Sequence, residues 1–553
     1  MFSRISFQCP SQRVERVIES VRSQEKKKKI EFDLPSSLEY LFTLSKKYAY
    51  RRSRKRIQEP VSLNAKTKNR NIVPCIILFT ILKGIILIFL IPPFQTPDEF
   101  NHYDYAVFLS KIDVPKFLLG KYDIERTEDV VVTSEVSRLL DITDALRIRF
   151  HKEEKAKVSM RQVFVMARSE KELDTAESLG RTEVLGDAYN YPPFYYGFLS
   201  LFLRLMDLFS VNIFLKFLFL RLVSFCLFMA SLYFVTKILR LIPFSESTAA
   251  VILFLIAFQP QLSMLSVSVQ PDIMVLFLVT GCIYFALRFI IHSTSLNSCL
   301  FGLLSGLLLL TKVHFFLAVY FPLVVMMILI LVRKKRFYGK SAAQILAGGL
   351  LAAVIGVWWY IRSYLLFDNL IGYVAYETSP DSFLANVKSW FFYWMPLIFK
   401  RFWGEWGWVD YAYPLYVFPF LLILCLVPLP FWISYINSVF KKAPQAGRYD
   451  DSPEMKKWLN LVVLFLPLLV FSLIMIYIAG EISPEDNNQG RNWLPLILPI
   501  AVYLGGYLDF LAGSRKFQAR RIKRYTVVYF YSAIFFLLNL WMILLTIKRY
   551  YPI

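Results

Sequence analysis

From Ile72 to Ile547 the chain returns repeatedly to apolar runs long enough to cross a bilayer, and no soluble domain can bury so many of them. A hydrocarbon core takes about 20 mostly apolar residues per helix, because every backbone N–H and C=O must find its partner inside the segment. With 56% hydrophobic residues, 17% aromatic residues and a mean hydropathy of +0.47, the chain needs lipid as its solvent. The expected fold class is an all-α polytopic membrane protein. The runs read as Ile72–Ile91, Ile213–Val235, Ala249–Leu265, Ile273–Ile291, Cys299–Leu310, Phe315–Leu331, Ala343–Ile361, Leu415–Ile436, Leu459–Ile478, Leu494–Leu511 and Thr526–Ile547, which makes about eleven spans.

A net charge of +22 raises the question of nucleic acid, but Lys and Arg fall in short clusters between the apolar runs and in the segment before Ile72. That is the positive-inside pattern, so no nucleic-acid partner is expected. Residues 1–71 form a basic tail with the runs Lys26–Lys29 and Arg51–Arg56, read either as held against anionic head groups or as simply solvated. With that tail in the cytoplasm, Pro92-Pro93 ends the first span and residues 94–212 form a large extracytoplasmic loop. A second such loop covers 362–414. On this count Lys237/Arg240, Arg288, Arg333–Arg336, Lys441/Lys442 and Arg515 through Arg524 are all cytoplasmic.

The first loop contains helical-looking stretches, Ser134 to Arg149 and Ser159 to Leu179. Pro192 to Leu205 is apolar too, but counting it as a span would move the later basic clusters outside. It therefore reads as a juxtamembrane or re-entrant helix, with an ordinary short span as the alternative. Five of the six cysteines lie inside apolar runs and Cys9 lies in the tail, so no disulfide framework is implied. The first run lacks a small-residue cleavage site and is expected to stay as an anchor.

The unusual residues cluster at outer span ends. Gln95-Thr96-Pro97-Asp98-Glu99-Phe100-Asn101-His102 sets two carboxylates and an imidazole at the membrane surface, where low dielectric and mutual repulsion suit general base catalysis. If a helix starts at Pro97, Asp98 and His102 share a face; capping by Thr96 with acidic residues in the first turn is the alternative. Asp272 either binds a metal or hydroxyl groups, or begins a helix beside Pro271. Lys312, in a tight turn with His314, either binds an anionic head group or snorkels. Arg401, Trp403 and Trp406 pair with a later segment holding Gln489 and Arg491. Trp faces stack on sugars, Gln binds their hydroxyls and Arg clamps phosphate; Trp is also a common interface anchor.

Taken in order, Pro97-Asp98-Glu99 with His102, Tyr191-Pro192-Pro193-Phe194-Tyr195-Tyr196, Arg221-Leu222-Val223-Ser224, Gln270-Pro271-Asp272, Leu310-Thr311-Lys312, Phe402-Trp403-Gly404-Glu405-Trp406-Gly407-Trp408 and Gln489-Gly490-Arg491 resemble a bacterial family of predicted membrane proteins akin to the GT-C glycosyltransferases. The resemblance runs from about Ile72 to Leu511. It implies a GT-C-like fold, with a first outer loop carrying a catalytic acidic residue and juxtamembrane helices. It also implies an inverting transfer of a sugar from a polyprenyl-phosphate or polyprenyl-diphosphate carrier to a glycan, lipid or protein acceptor. Carried over, Asp98 is the base with Glu99 as its rival, and Asp272 matches the acidic residue of the second outer loop. Thr96 stands where the common Pro-Pro-Asp-Glu run has its first Pro, and Tyr191 replaces the His of some relatives.

On this reading Arg491, Lys312 or Arg401 neutralises the leaving phosphate. A Mg²⁺ or Mn²⁺ ion bridging Asp98, Asp272 and the donor is an open expectation. The rival functions are a transporter or flippase for a lipid-linked or anionic solute, and a non-catalytic subunit of a surface-polysaccharide assembly.

Overall fold

The computed structural model describes residues 72–112, 115, 133–151, 153–156, 160–169, 191–242, 244–333, 339–370, 387–442, 453–478, 489–509 and 524–552. The basic tail, the second half of the Ser159–Leu179 stretch, Glu485 to Asn488 and Arg515 to Lys523 lie outside these residues.

The described chain is helical apart from one short hairpin. In order it forms α1 (Ile72–Leu90), α2 (Glu99–Lys111), α3 (Ser134–Thr143), α4 (Ala145–Phe150), α5 (Met160–Ser169), α6 (Phe194–Leu208), α7 (Ile213–Leu241), α8 (Glu246–Ala257), α9 (Pro260–Leu265), α10 (Pro271–Ile291), α11 (Ser295–Leu309), α12 (Val313–Arg333) and α13 (Gly339–Phe367). A π-helical turn (Trp390–Trp394) then leads into α14 (Met395–Gly404), and strands β1 (Glu405–Trp406) and β2 (Tyr411–Ala412) pair antiparallel. After them come α15 (Val417–Leu426), α16 (Leu429–Lys442), α17 (Pro453–Ile478), a 3₁₀ segment (Gly490–Leu496), α18 (Ile497–Gly506) and α19 (Arg524–Tyr550).

Among the described residues eight helices are long and apolar enough to cross a membrane: α1, α7, α10, α12, α13, the combined α15–α16 stretch Val417–Asn437, α17 and α19. The chain is a polytopic all-α membrane protein. Large side chains such as Phe89, Leu350 and Val354 remain exposed on these helices, as expected where the solvent is lipid.

Three expected spans take a different form. Ala249–Leu265 is not one helix but α8 and α9, broken at Phe258-Gln259, because Pro260 cannot donate into the α8 ladder and instead starts α9 at its first turn. The carbonyls freed there are bonded: Ala257 O accepts from Lys83 Nζ (2.5 Å) and Phe258 O from Asn539. Lys83 also donates to Ser263 Oγ (2.6 Å) and lies over the Phe258 ring, so an amine buried in α1 pins the broken helix. Cys299–Leu310 is the short α11, and Leu494–Leu511 starts in the 3₁₀ segment around Pro495. α11 packs tightly on α13: a Cβ added at Gly302 would lie 2.1 Å from Gly348 O, the close backbone approach that small residues permit between membrane helices.

α1 stops because Pro92 and Pro93 offer no N–H to continue it. Its open carbonyls are taken by the guanidinium of Arg221 on α7, which donates to Ile88 O (3.3 Å), Ile91 O (2.6 Å) and Pro92 O (3.1 Å). The first-loop helices then pack beside the end of α7. α6 carries Arg204 and Asp207 within its 15 residues, which suits the membrane surface better than a crossing. It lies against α2, and its Arg204 caps α2 through Leu109 O and Ile112 O (both 2.9 Å). Lys216 on α7 holds Glu135 of α3 at 3.1 Å.

The last helix closes the same end of the bundle. Arg549 bonds Asp410 in the turn of the hairpin (2.5 Å), Tyr550 OH reaches Gln95 O (3.3 Å) and Tyr551 OH reaches Leu90 O (2.8 Å). At the opposite end Asp509 accepts from Ser245 Oγ (2.8 Å) and Thr248 Oγ1 (2.9 Å) and faces Lys457 at 3.5 Å. Lys237 and Arg240, near the C-terminal end of α7, belong to that opposite end.

Candidate functional site

The site grows from the turn between α1 and α2. Asp98 takes the left-handed conformation (φ 58°, ψ 9°), which Asp adopts more readily than most residues because its short side chain bonds locally. It precedes α2 as its N-cap residue, yet its carboxylate makes no capping bond and Thr96 Oγ1 is buried without a partner among the described residues. The capping alternative therefore does not describe this turn. Asp98 Oδ2 turns instead to Arg491 Nη2.

Arg491 is placed there by Gly490. A Cβ at Gly490 would stand 2.1 Å from Phe402 N and 2.7 Å from Ile398 O, so only glycine lets the 3₁₀ segment lie against α14. From that position Arg491 Nη1 donates to Pro97 O (3.0 Å) and Gln270 Oε1 (3.3 Å), while the Gln270 amide donates to Pro97 O. The three motifs Pro97-Asp98, Gln270-Pro271-Asp272 and Gln489-Gly490-Arg491 thus close into one ring of hydrogen bonds.

Asp272, in the first turn of α10, accepts from Lys312 Nζ at 2.6 Å, and Lys312 sits in the turn between α11 and α12. The pair lies beside the first, since Arg491 acts electrostatically on both carboxylates and Lys312 acts on His102. His102 Nδ1 meets Tyr196 OH at 2.9 Å and the two rings stack at 5.9 Å. Arg149, stacked 3.7 Å over Trp408, adds a further positive charge in the field of Asp98.

Burial pushes the Asp98 carboxyl up, but the charge and hydrogen bond of Arg491 outweigh it and the net shift is downward. Burial lowers His102 to about 3 against the opposing pull of Asp98, so its imidazole is neutral at physiological pH. Arg491 is held charged: burial lowers its pKa, but Asp98 and Asp272 more than compensate and raise it.

Glu99 has a different environment. Its two oxygens receive Arg221 Nε (2.9 Å) and Nη2 (2.6 Å), Oε1 also accepts Val269 N–H (3.1 Å), and both side chains are 0% exposed. Glu99 therefore ties α1, α2, α7 and the segment before α10 together and has no oxygen left for a substrate. Asp98 engages one oxygen only, and its side chain is 33% exposed. Geometry separates two carboxylates that adjacency makes look alike.

Of the other expected residues, Arg401 and Lys400 both bond Glu405 (3.2 and 2.6 Å). Trp403 is packed edge-on against Phe402 and Phe535, and Trp406 against Tyr413, so neither presents a free face for a sugar. Gln489 opens the 3₁₀ segment, its carbonyl accepting Asn492 N–H at 3.0 Å. As for a bridging Mg²⁺ or Mn²⁺, Asp98 and Asp272 each already hold a cation of the chain, and no group of three His, Cys, Asp or Glu side chains among the described residues is placed for a metal. This donor set does not fit a divalent ion, and no step is derived through one.

Arg149 and Arg221 carry roles that their spacing does not announce. Arg221 stands in the middle of an apolar run, and an arginine within a membrane span is itself the signal that would single it out. Arg149 lies in the first loop with no motif around it.

No curated protein matches this chain. The model of the family described as predicted membrane protein (DUF2142) matches residues 81–501, and the chain belongs to that family.

Proposed function

We propose that the protein is a membrane glycosyltransferase, similar to the GT-C type, that moves a sugar from a polyprenyl-phosphate-linked donor to a glycan, lipid or protein acceptor at a bacterial cell surface. The observation that carries this reading is a partly open carboxylate, Asp98, set against Arg491 and next to the Lys312–Asp272 pair and a neutral His102, all at one end of an apolar bundle. A lipid-linked donor has its tail in the bilayer and its phosphate at such an end. Lys237 and Arg240 lie at the end away from the site, which supports a cytoplasmic assignment for that end and an outward-facing site. Adding the broken α8–α9, α11 and the 3₁₀–α18 segment to the eight long helices gives eleven crossings.

In the reaction, an acceptor hydroxyl oxygen forms a bond to the anomeric carbon as the bond from that carbon to the phosphate oxygen breaks. Asp98 takes the hydroxyl proton, and the departing phosphate keeps the electron pair and is neutralised by Arg491 and Lys312. A single in-line displacement inverts the anomeric centre.

The transporter reading has one observation in its favour, since Lys83 lies inside a span at a discontinuous helix. Its Nζ is already bonded to Ala257 O and Ser263 Oγ and lies over Phe258, which suits a staple better than an ion path. The deciding experiment presents the purified protein with a polyprenyl phosphate bearing a labelled sugar. Label is expected in an acceptor, with a loss of about 10²-fold or more in Asp98→Asn. Movement of intact lipid without consumption would identify a transporter, and neither outcome a scaffold.

A further inference from the structure

We propose that Asp98 occupies the anion position of this site in the resting protein, and that an incoming phosphate oxyanion displaces it from Arg491. This rests on the reading above only for the identity of the phosphate's source; the exchange itself concerns the site's own charges.

Two cations of the site each hold a carboxylate, Arg491 with Asp98 and Lys312 with Asp272. The two pairs are differently bound. Asp272 is 3% exposed and anchored in the first turn of α10, whereas Asp98 stands 33% exposed on a left-handed turn whose backbone is fixed by its neighbour Glu99. Asp98 is thus the partner that can leave. Arg491 is the partner that stays: its Nη1 is held by Pro97 O and Gln270 Oε1, two neutral acceptors that fix the guanidinium plane without cancelling its charge. Its Nε, buried, has no partner among the described residues. A guanidinium with a spare N–H, an unpaired donor edge once Asp98 swings out, and a lysine beside it suit a tetrahedral oxyanion, which accepts bidentate bonds as a carboxylate does.

The exchange links binding to chemistry. While Asp98 is bonded to Arg491 its carboxylate is a weak base, and handing Arg491 to the phosphate removes the charge that keeps it weak. The base is armed only when the leaving group is in place, and water has less opportunity to be activated in its absence.

Removing the carboxylate should therefore tighten anion binding even as it removes the base. Full-length protein in nanodiscs is titrated calorimetrically with inorganic phosphate and, separately, with a short polyprenyl monophosphate. The variants are Asp98→Asn and Asp98→Gly, both of which accept the left-handed backbone. Binding roughly tenfold tighter than wild type is expected in whichever variant remains monodisperse, about 1.4 kcal/mol, and Arg491→Gln should abolish it. Tightening towards both probes assigns the site to the phosphate group alone, and tightening towards the polyprenyl phosphate only assigns it to the lipid-linked form. Equal or weaker binding in the folded Asp98 variants overturns the exchange. Sugar transfer by the wild type together with unchanged phosphate affinity would remove the exchange and leave the proposed function; tightening without any transfer would do the reverse.

Discussion

Replacing Arg221 by methionine tests whether the Glu99–Arg221 pair is a strut. In the wild type Arg221 makes two bonds to Glu99 and three to the carbonyls that Pro92 and Pro93 leave open at the end of α1, with both side chains fully buried. Arg221→Met leaves an anion with no counter-charge, and breaking a buried pair from one side costs about 3–5 kcal/mol. Glu99→Gln leaves the guanidinium uncompensated but keeps an acceptor for Val269 N–H, so its cost is about 2–3 kcal/mol. If the two changes were independent the double variant would lose about 5–8 kcal/mol. Because each single change already forfeits the same pair, the double variant should lose only about 3–4 kcal/mol, the residue coming from the α1 carbonyls that stay unbonded. The four proteins are compared by unfolding in mixed detergent and denaturant, where a coupling energy of at least about 1 kcal/mol is expected. Additivity to within about 0.5 kcal/mol would refute the strut and return Glu99 to the list of candidate bases.

Gly490→Ala places a methyl group 2.1 Å from Phe402 N, so a loss of about 1–3 kcal/mol in stability and a fall in phosphate binding are expected, because Arg491 moves with the 3₁₀ segment; unchanged binding by calorimetry would count against that placement. His102 has a folded pKa of about 3 against about 6.5 when unfolded, so below pH 6.5 the unfolded chain takes up a proton that the folded one refuses. Stability therefore falls as pH drops from 6.5 towards 3, by up to roughly 4–5 kcal/mol, and thermal melts of His102→Gln should show a flatter profile than wild type over that window. Single cysteines introduced at Asn101 and Arg240 in a background without the native ones should react with an impermeant maleimide from opposite sides of the membrane; labelling of both from one side contradicts the orientation proposed for the site.

How much of this was legible in the sequence depends on the kind of interaction. Spans and their order follow from apolar length, which is a local property, and counting crossings puts Asp98 and Arg491 on one side, whereas their pairing does not follow from the sequence. The break between α8 and α9 was readable in principle from Gln259-Pro260, but the run of apolar residues on both sides outweighs one proline when only composition is weighed. The packing of Trp403 and Trp406 was not readable at all: whether an indole is a platform or a core side chain is decided by Phe535, Tyr413 and other partners far away in the chain.

The hardest case is the pair of adjacent carboxylates, and its difficulty has a physical origin. A bundle with one helix that stops at Pro92-Pro93 and others that start at Pro193, Pro271 and Gly490 leaves unbonded carbonyls and N–H groups at that end, and these must be met by charged side chains or water. On the proposed function, the same end is where a lipid-linked substrate would present its phosphate. Struts and catalytic groups are therefore drawn from the same residue types, placed within a few positions of one another. Asp98 and Glu99 are neighbours on one turn, each with an arginine from a distant segment, Arg491 and Arg221. What divides them is the number of oxygens still unengaged and the access of solvent to them, and α2 decides both. Its first turn carries Glu99 inward, where Arg221 and Val269 use both oxygens, while the left-handed residue before it keeps Asp98 at the open edge. The carboxylate proposed as the base is the one that the helix does not take in.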